Sequence, residues 1–326
     1  MFRITRTSIG GRGATLLSSG RGDELLVLDL GGTVRELALS PPPGAGDGDL
    51  PDGAAGRGAL NLLSRCGPES IDDDPLFRGK LLFPFNDRIP EGRYRFAGEE
   101  HRLRINSPED GSAIHGFLYR RSMERVGESA DEDGARLALR DRLRPGDEAG
   151  YPFSLSLRVE YRLGYGRFVI SFVVRNEGRG PAPFALGWHP YFTLGGRADD
   201  WVLEHGGERY VPVDERLMPR GGLVDVAGSP FDFRSGRRLG AESLDIALSA
   251  PADGRWRLSR KGGAAIDFEA QPALFPFTQL YLPPDRASIA LEPIASPTDA
   301  FNRPELGLQV LGPGEERRGA VAVRRG

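Results

Sequence analysis

In "FSLSLRVEYRL", residues 153–163, every second side chain is apolar: Phe153, Leu155, Leu157, Val159, Tyr161 and Leu163 alternate with more polar neighbours. A period of two marks a strand with one buried face, because successive side chains of an extended chain point to opposite sides. The "GYG" at 164–166 is turn chemistry, and "RFVISFVVRN" behind it is apolar on both faces. The two runs predict a hairpin that leads into the interior of a thick stack of sheets.

Working outward, the same reading finds "ELLVLDL" (24–30), "TVRELAL" (33–39), "RYRFAG" (93–98), "WVLEH" (201–205), "TQLYL" (278–282) and "SIALEP" (288–293). All are short, they are separated by Gly, Pro, Asn and Asp, and a sustained period of 3.6 is missing over most of the chain. This is the pattern of an all-β sandwich or barrel. Residues 40–58 and 142–152 are rich in chain breakers and read as loops or insertions, and "GGRGATLLSSG" (10–20) reads as an N-terminal turn. Strand patterning continues on both sides of the two loops, so the expectation is one domain over residues 1–326.

The composition narrows the function classes. With 43 basic and 46 acidic residues the net charge is −3, which leaves no electrostatic footprint for nucleic acid. The single Cys66 excludes an internal disulfide framework and reads as a buried, inert thiol in a reducing compartment. No apolar stretch reaches signal-peptide or membrane-spanning length, so the expectation is a cytoplasmic protein with no membrane partner. The four histidines, His101, His115, His189 and His205, show no metal-ligand spacing, and there is no phosphate loop or dinucleotide fingerprint.

Four places carry possible chemistry. In "GWHPYF" (187–192) a histidine ends a strand run, and Pro190 stiffens the backbone beside it. An imidazole titrates near neutrality, so His189 suits proton donation; it reads equally as a hydrogen-bonded core histidine. His115 precedes Gly116, which permits close approach of a ligand or simply a tight turn. Glu292 ends an apolar strand run before Pro293; burial would raise its pKa and make it a base, and a salt-bridged structural role is the alternative. Arg88 follows Asn86 and Asp87, a set suited to a polyol or to a solvated turn. Arg93, Arg95, Arg102 and Arg104 alternate along an expected exposed face.

Taken in order, "LLFPFNDRIPEGRYRFAG", "AIHGF", "GWHPYF", "YVPVDERLMPRGGLVDVAGSPFDFR", "SLDIAL" and "LEPIASPTDAFN" resemble the aldose 1-epimerase (galactose mutarotase-like) family across residues 81–302. The resemblance implies a large antiparallel β-sandwich with few short helices, no cofactor, and interconversion of the α and β anomers of a free sugar. By the same resemblance Glu292 is the base, His189 the acid, and His115, Arg88 and Asp245 bind the sugar. From residue chemistry alone, Asn86 suits a sugar hydroxyl, and the Trp188 ring reads equally as an apolar platform for the sugar or as a core tryptophan. The sequence departs from the family pattern at Asp87, where asparagine is usual, and at Ile246, where a polar residue is often found. Two other functions stay open: a hexose-6-phosphate epimerase, with Arg88 and Arg93 or Arg120 on the phosphate, and a sugar-binding module without catalysis. The expected partner is a small sugar, and the assembly a monomer or homodimer.

Overall fold

A computed structural model describes residues 1–41 and 58–326. Strands make up 47% of the model, and the only helices among the described residues are four 3-10 turns of three residues each, such as Leu118–Arg120. No helix among them is long and apolar enough to cross a membrane.

The opening stretch folds as its alternation requires. Strand Leu155–Gly164 buries Leu155, Leu157, Val159, Tyr161 and Leu163, and it turns through Tyr165 and Gly166 into strand Arg167–Asn176. The second strand buries Phe168, Ile170, Phe172 and Val174, while Val169, Ser171 and Val173 stay half-exposed. The hairpin therefore has one core face, contrary to the expectation of two. It lies within a nine-stranded antiparallel sheet, with Ala135–Leu143 on one flank and Glu316–Arg325 on the other.

An eight-stranded sheet packs against this one. Its centre is Ile289–Ile294, paired on one side with Phe277–Tyr281 and on the other with Gly187–Trp188 and Tyr191–Phe192. The two sheets meet through aromatic contacts: Phe168 against Trp188 at 5.7 Å between ring centroids, and Phe192 against Phe268 at 4.6 Å. A five-stranded N-terminal sheet joins the same core, and the Tyr161 hydroxyl donates to the Gly32 carbonyl at 2.6 Å across that junction.

Several expectations change. The glycine-rich stretch at 10–20 is mostly strand Arg12–Ser19, paired along its length with Phe2–Ile9, and only Gly10 and Gly11 make the turn. Of the loop expected at 142–152, Arg142 and Leu143 complete a strand. The loop expected at 40–58 lies, over residues 42–57, outside the described residues. Cys66 is half-buried and takes a long contact of 3.7 Å from the Arg35 guanidinium. The four alternating arginines at 93, 95, 102 and 104 are exposed.

On strand Trp201–His205, His205 is buried with both ring nitrogens engaged. The Gly207 N–H donates to Nδ1 at 3.1 Å, so the proton sits on Nε2, which donates to the Thr278 hydroxyl at 3.1 Å. Burial pushes this imidazole down to about 3. The folded value lies below the unfolded value of 6.5, so the neutral ring's contribution is complete above pH 6.5 and declines as pH falls toward the folded value. Lowering the pH from 7 to 5 should cost the wild type about 1–2 kcal/mol more than His205→Gln, read as urea unfolding free energies. Parallel losses in the two proteins would show that this ring does not titrate on unfolding.

Candidate active site

Alternation along three neighbouring strands builds one wall of a cavity. In Ile289–Ile294, residues Glu292 and Ile294 face it; in Phe277–Tyr281, Gln279 and Tyr281; in Asp245–Ser249, Asp245. The register sets Gln279 beside Glu292 and Tyr281 beside Asp245. The cavity has a volume of about 780 Å³, within the range of small-molecule sites.

His189 enters from the end of the Gly187–Trp188 strand. Its N–H donates to the Lys80 carbonyl at 3.0 Å, and its carbonyl accepts from Gly79 N–H at 2.8 Å, so both sides of its backbone are tied before Pro190. The ring stacks on Tyr191 at 5.1 Å and meets the edge of the His115 ring at 5.2 Å. Nδ1 lies 3.5 Å from Glu292 Oε1, close enough for charge to be felt, yet Nδ1 has no hydrogen-bond partner among the described residues. An acid and a base facing one space without closing on each other are left available to a third group.

His115 sits at φ 63°, strained for a non-glycine residue. Its Nδ1 is 2.8 Å from the Asn86 carbonyl, which can only accept, so Nδ1 carries the proton and Nε2 is left as an acceptor. The neighbouring Gly116 serves backbone packing: a Cβ there would lie 2.2 Å from the Phe83 carbonyl oxygen. Arg88 donates through Nε to Asp110 at 2.7 Å and lines the cavity together with Asp87 and Asp245. Asp87 accepts from the Thr298 hydroxyl at 2.8 Å and from the Arg88 N–H at 2.6 Å. Gln279 donates to Asp245 at 2.7 Å.

The structure thus brings Glu292, His189, His115, Arg88 and Asp245 to one cavity. One sequence expectation is corrected. Trp188 is fully buried between Phe168 and Phe192, so its ring is core and presents no platform. Asn86 lines the cavity, and its side chain bonds the backbone of Ser296, donating to that carbonyl at 2.6 Å and accepting from that N–H at 3.3 Å. It clamps the segment that follows Glu292 and keeps a second N–H and a second acceptor lone pair. Of the two departures from the family pattern, Ile246 points into the core and Asp87 lines the cavity. Sequence reasoning missed Gln279, Tyr281 and Tyr191; following the period of two from Glu292 to its paired strand reaches the first two.

Burial governs the charges. It drives the Glu292 carboxyl well above its ordinary range, reinforced by Asp87 and Asp245, and drives the His189 imidazole well below its own, reinforced by His115. Burial also lifts Asp245 to about 6 and lowers His115 to about 4. Burial favours the uncharged forms of Glu292 and His189.

A family model described as aldose 1-epimerase matches residues 58–324. The chain is 34% identical over 191 residues to the aldose 1-epimerase of Escherichia coli K12, a match that covers 56% of this chain and 52%, about half, of that enzyme. It is 27% identical over 243 residues to an uncharacterized protein of the same organism, YihR, covering 72% of this chain and 75% of that one. Among solved structures, a galactose mutarotase-like protein of Clostridium acetobutylicum superposes with a TM-score of 0.84 at 18% identity, covering 100% and 98% of the two chains, a likeness of fold.

The Glu292 carboxyl gives a prediction independent of any activity. Its folded pKa is raised above the unfolded 4.5, so the stability tied to it is present below 4.5 and is lost as pH rises through the folded value. Glu292→Gln should therefore unfold at higher urea than wild type at pH 8, with a gap that narrows toward pH 5 by no more than about 1.4 kcal/mol per pH unit. A variant less stable than wild type at pH 8 would mean the carboxylate is held by partners rather than penalised by burial.

Proposed function

The chain belongs to the aldose 1-epimerase family, and from that premise we propose that it interconverts the α and β anomers of a free sugar by acid–base ring opening and closure. The observation that carries the reading is the facing of Glu292 Oε1 and His189 Nδ1 across 3.5 Å on the wall of a cavity, with no hydrogen bond joining them.

Opening a hemiacetal ring requires a proton to leave the anomeric hydroxyl and a proton to reach the ring oxygen. In this reading the Glu292 carboxylate takes the first and the His189 imidazolium gives the second. The ring C–O bond breaks, the anomeric carbon becomes an aldehyde, and the pair ends as a carboxylic acid and a neutral imidazole. Rotation about the adjacent C–C bond presents the other face; the imidazole then recovers the proton from the chain hydroxyl as it adds, and the acid protonates the carbonyl oxygen. Two protons move in each half, and closure returns Glu292 to the carboxylate and His189 to the imidazolium. The uncharged pair that burial favours is the closing half's starting state, and contacts with the sugar sustain the charged pair of the opening half.

The other residues have roles that fit this chemistry. His115, with Nε2 free to accept, and Arg88 and Asp245 at the acidic end would hold hydroxyls and fix the ring against the pair. A phosphorylated substrate fits less well: Arg93 is exposed and outside the cavity, Arg120 is paired with Glu148 at 2.6 Å, and the lining holds more carboxylates than cations. The proposal treats residues 1–326 as one working domain.

One-dimensional proton NMR of freshly dissolved α-glucose and α-galactose tests the reading directly. Wild type should accelerate anomer exchange at low buffer concentration, and Glu292→Gln or His189→Asn should each lower kcat by about 10²–10⁴-fold. A correctly folded His189→Asn protein that works at full rate would remove the imidazole from the mechanism.

A further inference from the structure

The one thiol of the chain stands beside buried cations that lack an anion. Arg35 is 6% exposed, and no carboxylate comes within ion-pairing distance of its guanidinium among the described residues. Both of its terminal nitrogens turn to a single residue: one donates to the Cys66 carbonyl at 2.9 Å, and the other meets Cys66 Sγ at 3.7 Å. Its buried Nε–H has no acceptor among the described residues. Lys80, 3% exposed, is in the same condition: its ammonium has one long hydrogen bond, 3.5 Å to the Asp72 carbonyl, and no carboxylate within ion-pairing distance among the described residues. Burial pushes its pKa down, the direction of an ammonium short of anions. A cation taken out of water is destabilising until a counter-charge reaches it.

Arg35, Lys80 and Cys66 line one small pocket with three other charged residues, Arg65, Arg78 and Asp74. Those three are already matched. Asp74 holds the Arg78 guanidinium at 2.6 Å and accepts from the N–H groups of Leu76 and Arg78, and Arg65 pairs with Glu36 at 3.1 Å. The charge of Arg35 and Lys80 is what remains.

The size of the pocket restricts what can answer it. At about 10 Å³ it has room for one water-sized atom and none for a phosphate or a carboxylic acid. The anion therefore has to be built on a side chain already there. Of the side chains around the pocket, Cys66 is the one that becomes anionic by gaining single oxygen atoms.

We propose that Cys66 is an oxidation site: a hydroperoxide converts its thiol to the sulfinate, and the Arg35 guanidinium and the Lys80 ammonium hold that anion, with one oxygen in the pocket and the other on the half-exposed side of the residue. This reverses the inert thiol expected from the sequence. It does not depend on the anomer-exchange reading. In the first step the sulfur attacks one peroxide oxygen; an S–O bond forms, the O–O bond breaks, and the other oxygen leaves as water with the thiol proton, giving the sulfenic acid. A second peroxide repeats the exchange and the acid releases its proton, so the products are the sulfinate and a second water. Sulfur is oxidised by two electrons in each step, and each peroxide is reduced by two.

Hydrogen peroxide applied to the folded protein, followed by peptide mass spectrometry, should add two oxygen atoms to the Cys66 peptide, and should do so about tenfold more slowly in Arg35→Gln. The treatment should raise the urea midpoint of wild type. It should not raise that of Cys66→Ser, which keeps every methionine and lacks the thiol. A charge mimic dispenses with the oxidant: Cys66→Asp and Cys66→Asn share a shape and differ in charge. The unfolding equilibrium constant of the Asp variant should be about tenfold smaller, and the difference should vanish when Arg35→Gln and Lys80→Met are added. A Cys66 that stays reduced in peroxide, a wild-type midpoint that fails to rise on its oxidation, or an Asn variant as stable as the Asp one would each overturn the proposal.

Discussion

Everything at the site depends on a carboxyl held almost wholly out of water on the wall of the cavity. Glu292 is placed there by the central strand of the eight-stranded sheet, whose six residues, Ile289–Ile294, are all buried. Neighbours on both sides fix that strand in register, and it has no freedom to carry the side chain out. The same burial that makes the carboxylate costly raises its affinity for a proton, the property that the proposed reaction needs of a base. The imidazole of His189 is subject to the opposite push, and the two effects work on a pair that shares one space. The reactivity assigned to the pair is thus a property of the sheet as much as of the two side chains.

A second level of support comes from the segments around the sheet. Asn86 locks the residues after Glu292, Lys80 and Gly79 grip the backbone of His189, and Asp74 bends the chain at Phe77. His115 and Phe77 both occupy left-handed backbone conformations, and their rings touch. Such strain persists only where surrounding hydrogen bonds outweigh it. At these two positions it is the hydrogen bonds of Asp74 and of the Asn86 carbonyl that hold the rings on the cavity wall.

Much of this was legible in the sequence, and the reasons for the gaps are physical. Strands with alternating large apolar residues, such as Leu155–Gly164 and Trp201–His205, could be read directly from their period. Glu316–Arg325 could not, because its core positions are Gly319, Val321 and Val323 set among arginines, and small residues give a weak signal until the packing that needs them is seen; at Gly319 a Cβ would meet the Leu274 side chain at 2.6 Å. Arg12–Ser19 was hidden by its glycines. At the site, Glu292 and His189 announced themselves by ending apolar runs, whereas the roles of Asn86 and Trp188 turned on which neighbours their polar atoms and rings met, a matter of tertiary distance. Phe77 carried no sequence signal because what marks it is a backbone angle.

The position of Glu316–Arg325 bears on how the molecule is put together. It lies inside the nine-stranded sheet, pairing with Arg167–Asn176 on one side and Ala265–Ala270 on the other. Until it is inserted, the sheet exists as two partial ribbons whose inner edges carry unpaired amide and carbonyl groups. Its closest partner in the first ribbon is separated from it by well over a hundred residues of chain, so the closing step is a long-range one, of the kind that makes β-rich proteins slow to fold and prone to wrong pairings on the way. In the finished sheet this strand is a keystone: it alone covers the inner edges of both ribbons, and a chain in which it is unpaired leaves two open edges for aggregation.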